Sequence, residues 1–304
     1  MSESLRRGLV IRLQSGYYTV QTDNGSVICT LRGRLKQEKA LEDIVAIGDH
    51  VSIDVGEDGT GVIEEMLDRQ SQLIRSAPSA RGEYKQVLLA NIDQVFFVFS
   101  CAKPIPNLRM LDRFLVIAEQ QKLSPRIVAN KTDLVGLQQA KKLFSAYQEL
   151  NYPLLFTSAK NGMGVSNLRT LLKGKLSAFA GPSGAGKSSL LNAIQPTLGL
   201  KVKEVKQTTH KGRHTTVVRE LFPLHDGGYV ADLPGLRQLK LWDMEPAELD
   251  GYFPELKVLV EHCKFNDCTH RGEPGCAVRA AVESGRIHHQ RYDSYLRMRA
   301  GDED

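Results

Sequence analysis

The chain has 304 residues, of which 41% are hydrophobic and 25% charged, with a formal net charge of +5. This is the composition of a soluble globular protein, too long for one ordinary core, and two or three domains are expected. No apolar run approaches the ~20 residues of a membrane span, and the mild basic excess is compatible with a nucleic-acid partner without requiring one.

Short β-like runs at Gly8–Leu13, Tyr17–Thr22, Val27–Leu31, His50–Val55 and Gly61–Met66 alternate with turns, two of which, Asp23-Asn24-Gly25 and Glu57-Asp58-Gly59, are hairpin signals. Five short strands predict a small barrel, best an OB-fold. Arg32, Arg34, Lys36 and Lys39 cluster around the third strand, either as nucleic-acid phosphate contacts or as a solvated charged face. Tyr17 and Tyr18 could stack on bases, with one of them assigned to the core. The polar stretch Gln70–Gln86 reads as a linker, with a domain boundary near Ser76.

The pattern then becomes α/β. Strands are expected at Gln94–Ser100, Arg126–Ala129, Pro153–Phe156, Leu176–Ala180, Thr216–Leu224 and Gly228–Ala231. Helices are expected at Leu108–Gln121, Leu137–Leu150, Val165–Leu172 and from about Lys187. Such alternation predicts a doubly wound, mostly parallel sheet.

Five loops carry chemistry. Gly181-Pro182-Ser183-Gly184-Ala185-Gly186-Lys187-Ser188-Ser189 fits the P-loop pattern G-x-x-x-x-G-K-[ST]. Its glycines let backbone amides turn toward phosphate oxygens, Lys187 can reach the β- and γ-phosphates, and Ser188 can ligate Mg²⁺. Asn130-Lys131-Thr132-Asp133 and Thr157-Ser158-Ala159-Lys160 follow two strands, where ligands of open α/β sheets sit. They resemble the guanine-recognition motif and the second base-contacting loop of Ras-like GTPases, which assigns Asn130, Lys131, Asp133, Ser158, Ala159 and Lys160 to the base. Asp133 can accept from the two guanine donors that adenine lacks. Asp232-Leu233-Pro234-Gly235 fits D-x-x-G, with Asp232 on Mg²⁺ through water and Gly235 sensing the γ-phosphate. Gly212-Arg213-His214-Thr215-Thr216 lies where the first switch belongs, and either Thr215 or Thr216 would ligate Mg²⁺. Leu236 occupies the position of the water-orienting glutamine of Ras-like enzymes, so His214 becomes the candidate catalytic residue beside Lys187. His214 could instead contact RNA or phosphate, or only pack within the switch. The base motifs precede the phosphate motifs, so the domain reads as circularly permuted, with the old ends joined near Lys173-Gly174.

Beyond a polar connector from Trp242 to about Phe253, Cys263, Cys268, His270 and Cys276 form a Cys₃His set suited to one structural Zn²⁺, with His262 a strained competitor. Cys29 and Cys101 read as core residues. Val278–Ser284 and Ile287–Arg299 read as closing helices, and Arg286, His288, His289, Arg291, Arg297 and Arg299 as a basic face, either solvated or in contact with RNA. Residues 1–10 have no secretory pattern, and a cytoplasmic chain is expected.

The permuted motif order, G-P-S-G-A-G-K-S-S, G-R-H-T-T, D-L-P-G and C-x4-C-x-H-x5-C together resemble the circularly permuted, small-subunit-dependent bacterial GTPases of the RsgA (YjeQ) type. The resemblance implies a multidomain chain: an N-terminal OB-fold β-barrel (1–75), a permuted α/β P-loop GTPase domain (76–241) and a small C-terminal zinc-binding α domain (242–304). It further implies GTP hydrolysis in late maturation of the small ribosomal subunit, stimulated by that subunit. The expected partners are the subunit and its rRNA, GTP and GDP, with other subunit assembly factors as candidates, no membrane, and a monomeric chain. The alternatives are an RNA-binding assembly scaffold with GTP as a structural ligand, and a factor of the translation initiation cycle.

Overall fold

The fold is that of a computed structural model, in which residues 5–35, 44–79, 82–201, 220–233 and 244–302 are described. Strands β1 (Arg6–Gln14), β2 (Tyr17–Thr22), β3 (Gly25–Leu31), β4 (His50–Val55) and β5 (Gly61–Met66) close into a barrel in the order β1-β2-β3-β5-β4. Alternation along β2 sends Tyr18, Val20 and Thr22 inward and leaves Tyr17 exposed. Val10, Val20, Cys29, Val51, Ile53 and Ile63 fill the interior, and burial pushes the Cys29 thiol up to about 11. Of the expected basic cluster, Arg32 and Arg34 both turn to Glu64, while Lys36 and Lys39 lie outside the described residues.

Residues Gln70–Gln86 are not a linker. Residues 72–79 and 82–86 belong to a two-stranded antiparallel ribbon, β6 (Gln72–Ser79) and β7 (Gly82–Ala90), and the boundary expected near Ser76 falls inside β6. The polar half is held by backbone pairing and cross-strand contacts such as Arg75 Nε to Gln86 Oε1 (2.8 Å), which composition does not reveal. The apolar end, Val87 to Ala90, is buried. A tight joint ties this ribbon to the barrel. Ala90 N donates to Ile47 O, and Asn91 Nδ2 to Gly48 O. Asp49, fully buried, takes a bidentate grip from Arg69, both contacts at 2.8 Å. Barrel and GTPase domain also meet through β1. A bulge between Val10 and Arg12 interrupts the β1–β2 ladder at Ile11, and the Ile11 carbonyl instead accepts from Leu221 N at 2.7 Å.

The GTPase domain is a six-stranded sheet of β8 (Gln94–Ser100), β9 (Pro125–Asn130), β10 (Leu154–Phe156), β11 (Leu176–Ala180), β12 (Phe222–Pro223) and β13 (Tyr229–Asp232), ordered β10-β9-β8-β11-β13-β12. All neighbours are parallel except β12 and β13. The completely apolar centre of β8 splits between two cores. Val95, Phe97 and Phe99 face α1 (Leu108–Gln120), α2 (Leu137–Leu143) and α3 (Ser145–Glu149), whereas Phe96 and Val98 face α4 (Val165–Leu172) and α5 (Lys187–Ile194). Cys101 lies in the first core, its thiol pushed up to about 11 mainly by burial. The helix expected over Leu137–Leu150 is two helices. At Phe144 the backbone leaves the helical region (φ −111°, ψ 17°) and its ring is fully buried. Of the strand expected over Thr216–Leu224, residues 216–219 lie outside the described residues; Glu220 makes an isolated antiparallel bridge to Arg12, Phe222–Pro223 form β12, and Leu224 turns back through its bond to Gly228.

The C-terminal unit comprises a 3₁₀ turn (Leu249–Tyr252), α6 (Pro254–Lys257), α7 (Ala277–Glu283) and α8 (His289–Arg299). Its core includes Phe253, Leu256, Val278, Ile287 and Tyr295, and Val116 of α1 enters the same cluster. The expected basic face loses its central member, since Arg291 is buried against carboxylates. No helix among the described residues is long and apolar enough to cross a membrane.

Gly48 has φ +89°, and a Cβ there would lie 2.2 Å from Ala90 O. Gly48→Ala is therefore expected to destabilise the chain by roughly 2–4 kcal/mol, read as a lowered thermal midpoint, whereas Gly16→Ala, with open space around it, should cost clearly less.

Candidate nucleotide site and metal centre

The parallel strands deliver their motifs to one edge of the sheet. After β11 the chain must turn within Gly181, whose φ of +146° and approach to β8 exclude a side chain: a Cβ would sit 2.1 Å from Val98 O. At the other end of the loop Gly186 (φ +94°) leaves no room for a Cβ beside Asn130 Nδ2, 2.4 Å away. Helix α5 starts immediately afterwards, at Lys187. Between these glycines the Lys187 ammonium lies along the loop, donating to Gly181 O (2.9 Å) and Pro182 O (3.3 Å).

The base-motif loops close against the same loop. Asn130 is buried, and its Nδ2 donates to Ala185 O (2.9 Å) while its Oδ1 accepts from Thr157 Oγ1 (3.2 Å) and Ala159 N (3.4 Å). Lys131, in the left-handed region at φ +62°, donates to Gly184 O and Lys103 O, both at 2.6 Å. Desolvation lowers its pKa, and nearby Asp133 opposes the shift. Ser158 Oγ donates to Asp133 Oδ1 at 2.6 Å and so fixes an exposed carboxylate. Lys160 is exposed beside it. Asp133 can thus accept a pair of donors from a base.

On the phosphate side, Ser188 Oγ lies 3.3 Å from Asp232 Oδ2. The other oxygen, Asp232 Oδ1, is buried with no hydrogen-bond partner among the described residues. Burial raises the Asp232 pKa, against the opposing charge of Lys187 and the Ser188 hydroxyl. A buried, partnerless carboxylate oxygen next to a P-loop hydroxyl fits a hydrated dication such as Mg²⁺. Gly181, Pro182, Ser183, Gly184, Ala185, Gly186, Lys187, Ser188 and Ser189 therefore converge with Asn130, Lys131, Asp133, Ser158, Ala159, Lys160 and Asp232. His214, Thr215, Thr216 and Gly235 lie outside the described residues, as do Arg213 and Leu236. The contribution of Lys103 is a backbone carbonyl and leaves no residue-type signal in the sequence.

A cleft of 640 Å³ between barrel and sheet, lined by His50, Asp68, Asp93, Lys175 and Tyr229 among others, opens at the N-terminal ends of β11 and β13 and is no part of this site.

The second centre is Cys263, Cys268, His270 and Cys276, whose ligand atoms all lie within 4.8 Å of one another. His270 Nδ1 is 3.6 Å from Cys263 Sγ and 3.4 Å from Cys276 Sγ, and those sulfurs are 4.0 Å apart. Tetrahedral bonds of about 2.3 Å to sulfur and 2.0 Å to nitrogen give edges of about 3.5–3.8 Å, so the donor set fits Zn²⁺. His270 is fully buried, with Nε2 3.1 Å from Asp250 Oδ2, which leaves Nδ1 for the metal. Glu273 orders the intervening loop by accepting from the amides of Thr269, Arg271 and Gly272, and from the Thr269 hydroxyl. These bonds, led by the hydroxyl, hold its carboxyl well below the usual range. His262 is not in the cluster. Asp250 and Glu273 were not evident from the ligand spacing, because carboxylates at such separations carry no motif.

A barrel, a permuted sheet with its P-loop on the central strand, and a Cys₃His module together define a circularly permuted P-loop GTPase. The RsgA GTPase family model matches residues 66–242 and the RsgA N-terminal domain model residues 7–63. The chain belongs to the RsgA family and is a GTP-hydrolysing enzyme. It is 45% identical over 96% of both chains to a Gemmatimonas aurantiaca protein named small ribosomal subunit biogenesis GTPase RsgA. It is 41% identical to a Thermotoga petrophila protein of the same name, over 96% of this chain and 95% of the relative. Among solved structures, YjeQ from Thermotoga maritima has a TM-score of 0.80 at 38% identity, covering 98% of each chain. YloQ, a circularly permuted GTPase, has a TM-score of 0.74 at 32% identity, covering 99% of this chain and 96% of that one.

Asp250→Asn should keep the fold and lower metal affinity about 10- to 100-fold, as measured by competition with a chromophoric chelator.

Proposed function

We propose that the chain is a GTPase of small-ribosomal-subunit maturation that binds rRNA and hydrolyses GTP faster on the subunit. The observation that carries the nucleotide part is the convergence of Asn130, Asp133, Lys187 and Asp232 on one sheet edge. The subunit as partner rests on the printed names of relatives at 45% and 41% identity over nearly the whole chain. The chain works as a cytoplasmic monomer, with barrel and zinc module gripping rRNA on either side of the GTPase domain, alongside other assembly factors.

In this reading Asp133 accepts from guanine N1–H and the exocyclic amine, with Ser158 holding the carboxylate. Lys131 and the Ala159–Lys160 backbone flank the base. The P-loop amides from Gly181 to Ser189 and the Lys187 ammonium neutralise the charge that develops on the γ-phosphate as water attacks. Lys187 leaves its resting carbonyls to do so. Ser188, Asp232 and one of Thr215 and Thr216 hold Mg²⁺, which supplies further charge neutralisation when bound. Gly235 senses the γ-phosphate. With Leu236 unable to orient water, the imidazole of His214 does so once the subunit holds its segment in place. The Cys₃His site carries one structural Zn²⁺: all four positions are protein ligands, leaving no open position for substrate.

Asp133→Asn should weaken GTP binding and shift preference toward xanthosine triphosphate, whose O2 can accept from the new amide. Unchanged GTP affinity would remove residues 130–133 from the site. Phosphate release under multiple turnover should be slow for the free chain, on the order of 10⁻⁴ to 10⁻² per second, and faster with purified small subunits. His214→Ala should bind GTP and subunit normally yet lose most of that stimulation. A chain that small subunits do not stimulate would instead favour the scaffold reading.

A further inference from the structure

Helix α8 grips the metal loop and helix α1 at once. Toward the metal, Tyr292 Oη donates to His270 O (2.5 Å) and Tyr295 Oη to Thr269 O (3.1 Å), and the Tyr295 ring lies 5.8 Å from the His270 ring. Toward the GTPase domain, Arg291 Nη1 donates to Asp112 Oδ1 (2.8 Å), and Ser294 Oγ to Asp112 Oδ2 (2.5 Å). Arg291 and Asp112 are 1% and 0% exposed, so this is an interior contact. The same guanidinium takes both oxygens of Glu255 (2.7 and 3.3 Å) and lies 4.6 Å from the centre of the Phe253 ring.

The chain of contacts continues to the nucleotide pocket. Tyr147 Oη lies 2.8 Å from Asp112 Oδ1 and 3.3 Å from Leu108 O, at the first residue of α1. The preceding loop is folded back by Ser100 Oγ, which donates to Pro104 O (2.5 Å). That fold presents Lys103 O to Lys131, whose ammonium simultaneously holds Gly184 of the P-loop. Every non-covalent link is a hydrogen bond or ion pair between described residues, and the path runs along the backbone only within α8, from Tyr292 and Tyr295 to Arg291, and over Lys103–Leu108.

We propose that Arg291 is a positioning residue for the nucleotide pocket: by holding Asp112 it fixes the first turns of α1 and, through the 101–107 loop, the carbonyl on which Lys131 rests. Seating of the metal module and the grip on nucleotide are then one coupled equilibrium. The proposal rests on the nucleotide reading above for the ligand. A coupling of this kind is reciprocal and typically spans about 5- to 150-fold in affinity.

The test uses the full-length, metal-loaded chain and fluorescently labelled GDP. Arg291→Met should weaken GDP binding within that range and raise KM for GTP, with kcat and metal content unchanged. Arg291→Lys, which restores one cation to Asp112, should recover part of the loss. A folded, metal-loaded Arg291→Met chain that binds GDP like the parent overturns the proposal. Should that variant fail to fold, hydrogen exchange on the unmodified chain decides. GDP should slow exchange both in the P-loop, 181–189, and in α8, 289–299. Slowing in the P-loop alone overturns the coupling and leaves the nucleotide reading standing; slowing in neither overturns both.

Discussion

The carboxamide of Asn130 lies where three loops cross. One face of it donates to the P-loop at Ala185 O and the other accepts from Thr157 and Ala159. Its bonds to Ala185 and Thr157 are buried, so each of those groups, if abandoned, would cost about 1–3 kcal/mol. Gly186 is glycine because this amide occupies the space a Cβ would need. The base-binding loops follow β9 and β10 and the phosphate-binding loop follows β11, and Asn130 is the point at which the two halves are registered. An asparagine suits the position because it donates and accepts at once, which neither a carboxylate nor a hydrophobic residue of similar size can do.

Two elements fix how the outer units sit on this centre. The barrel is held by backbone bonds at Ile47 and Ile11 and by the Asp49–Arg69 pair. The metal module is held by a buried cation shared between Asp112 and Glu255. In the second case three charges leave water together, and burial is sustained by complete pairing and by the Phe253 ring. The metal module has an apolar core around Phe253, Leu256, Val278 and Tyr295, and two of the Cys₃His ligands, Cys268 and Cys276, are buried in it.

Much of this was legible in the chain. The barrel strands appear as alternating runs between turn signals, and β8 as an uninterrupted apolar run, because burial on both faces dictates its composition. The P-loop glycines are there because backbone conformation admits nothing larger. The Cys₃His ligands announce themselves because few other roles gather three thiols and an imidazole within so short a stretch. The β6–β7 ribbon was not legible: its polar half is stabilised by backbone pairing, which any composition can supply. Nor was the place of Arg291. Read along α8 it is one of several basic residues, and only the tertiary fold brings Asp112 and Glu255 to it, from distant parts of the chain. Lys103 acts through its carbonyl, so its identity says nothing of its role.

The bulge at Ile11 has a consequence for the order in which the molecule can be completed. Its carbonyl bonds to Leu221, and Leu9, Ile11 and Leu13 pack against the core that contains Leu221. During synthesis Leu221 follows Ile11 only after about 210 further residues, most of the GTPase domain among them. At about 5–20 residues per second the interval is on the order of 10–40 s. The barrel closes through its own five strands, so it can form in that interval with this outer face still incompletely covered. A nascent chain of this protein therefore carries the open Ile11 carbonyl for tens of seconds, and the apolar face beside it gains its last core neighbours, Leu221, Ala231 and Leu233, only when the end of the sheet leaves the ribosome.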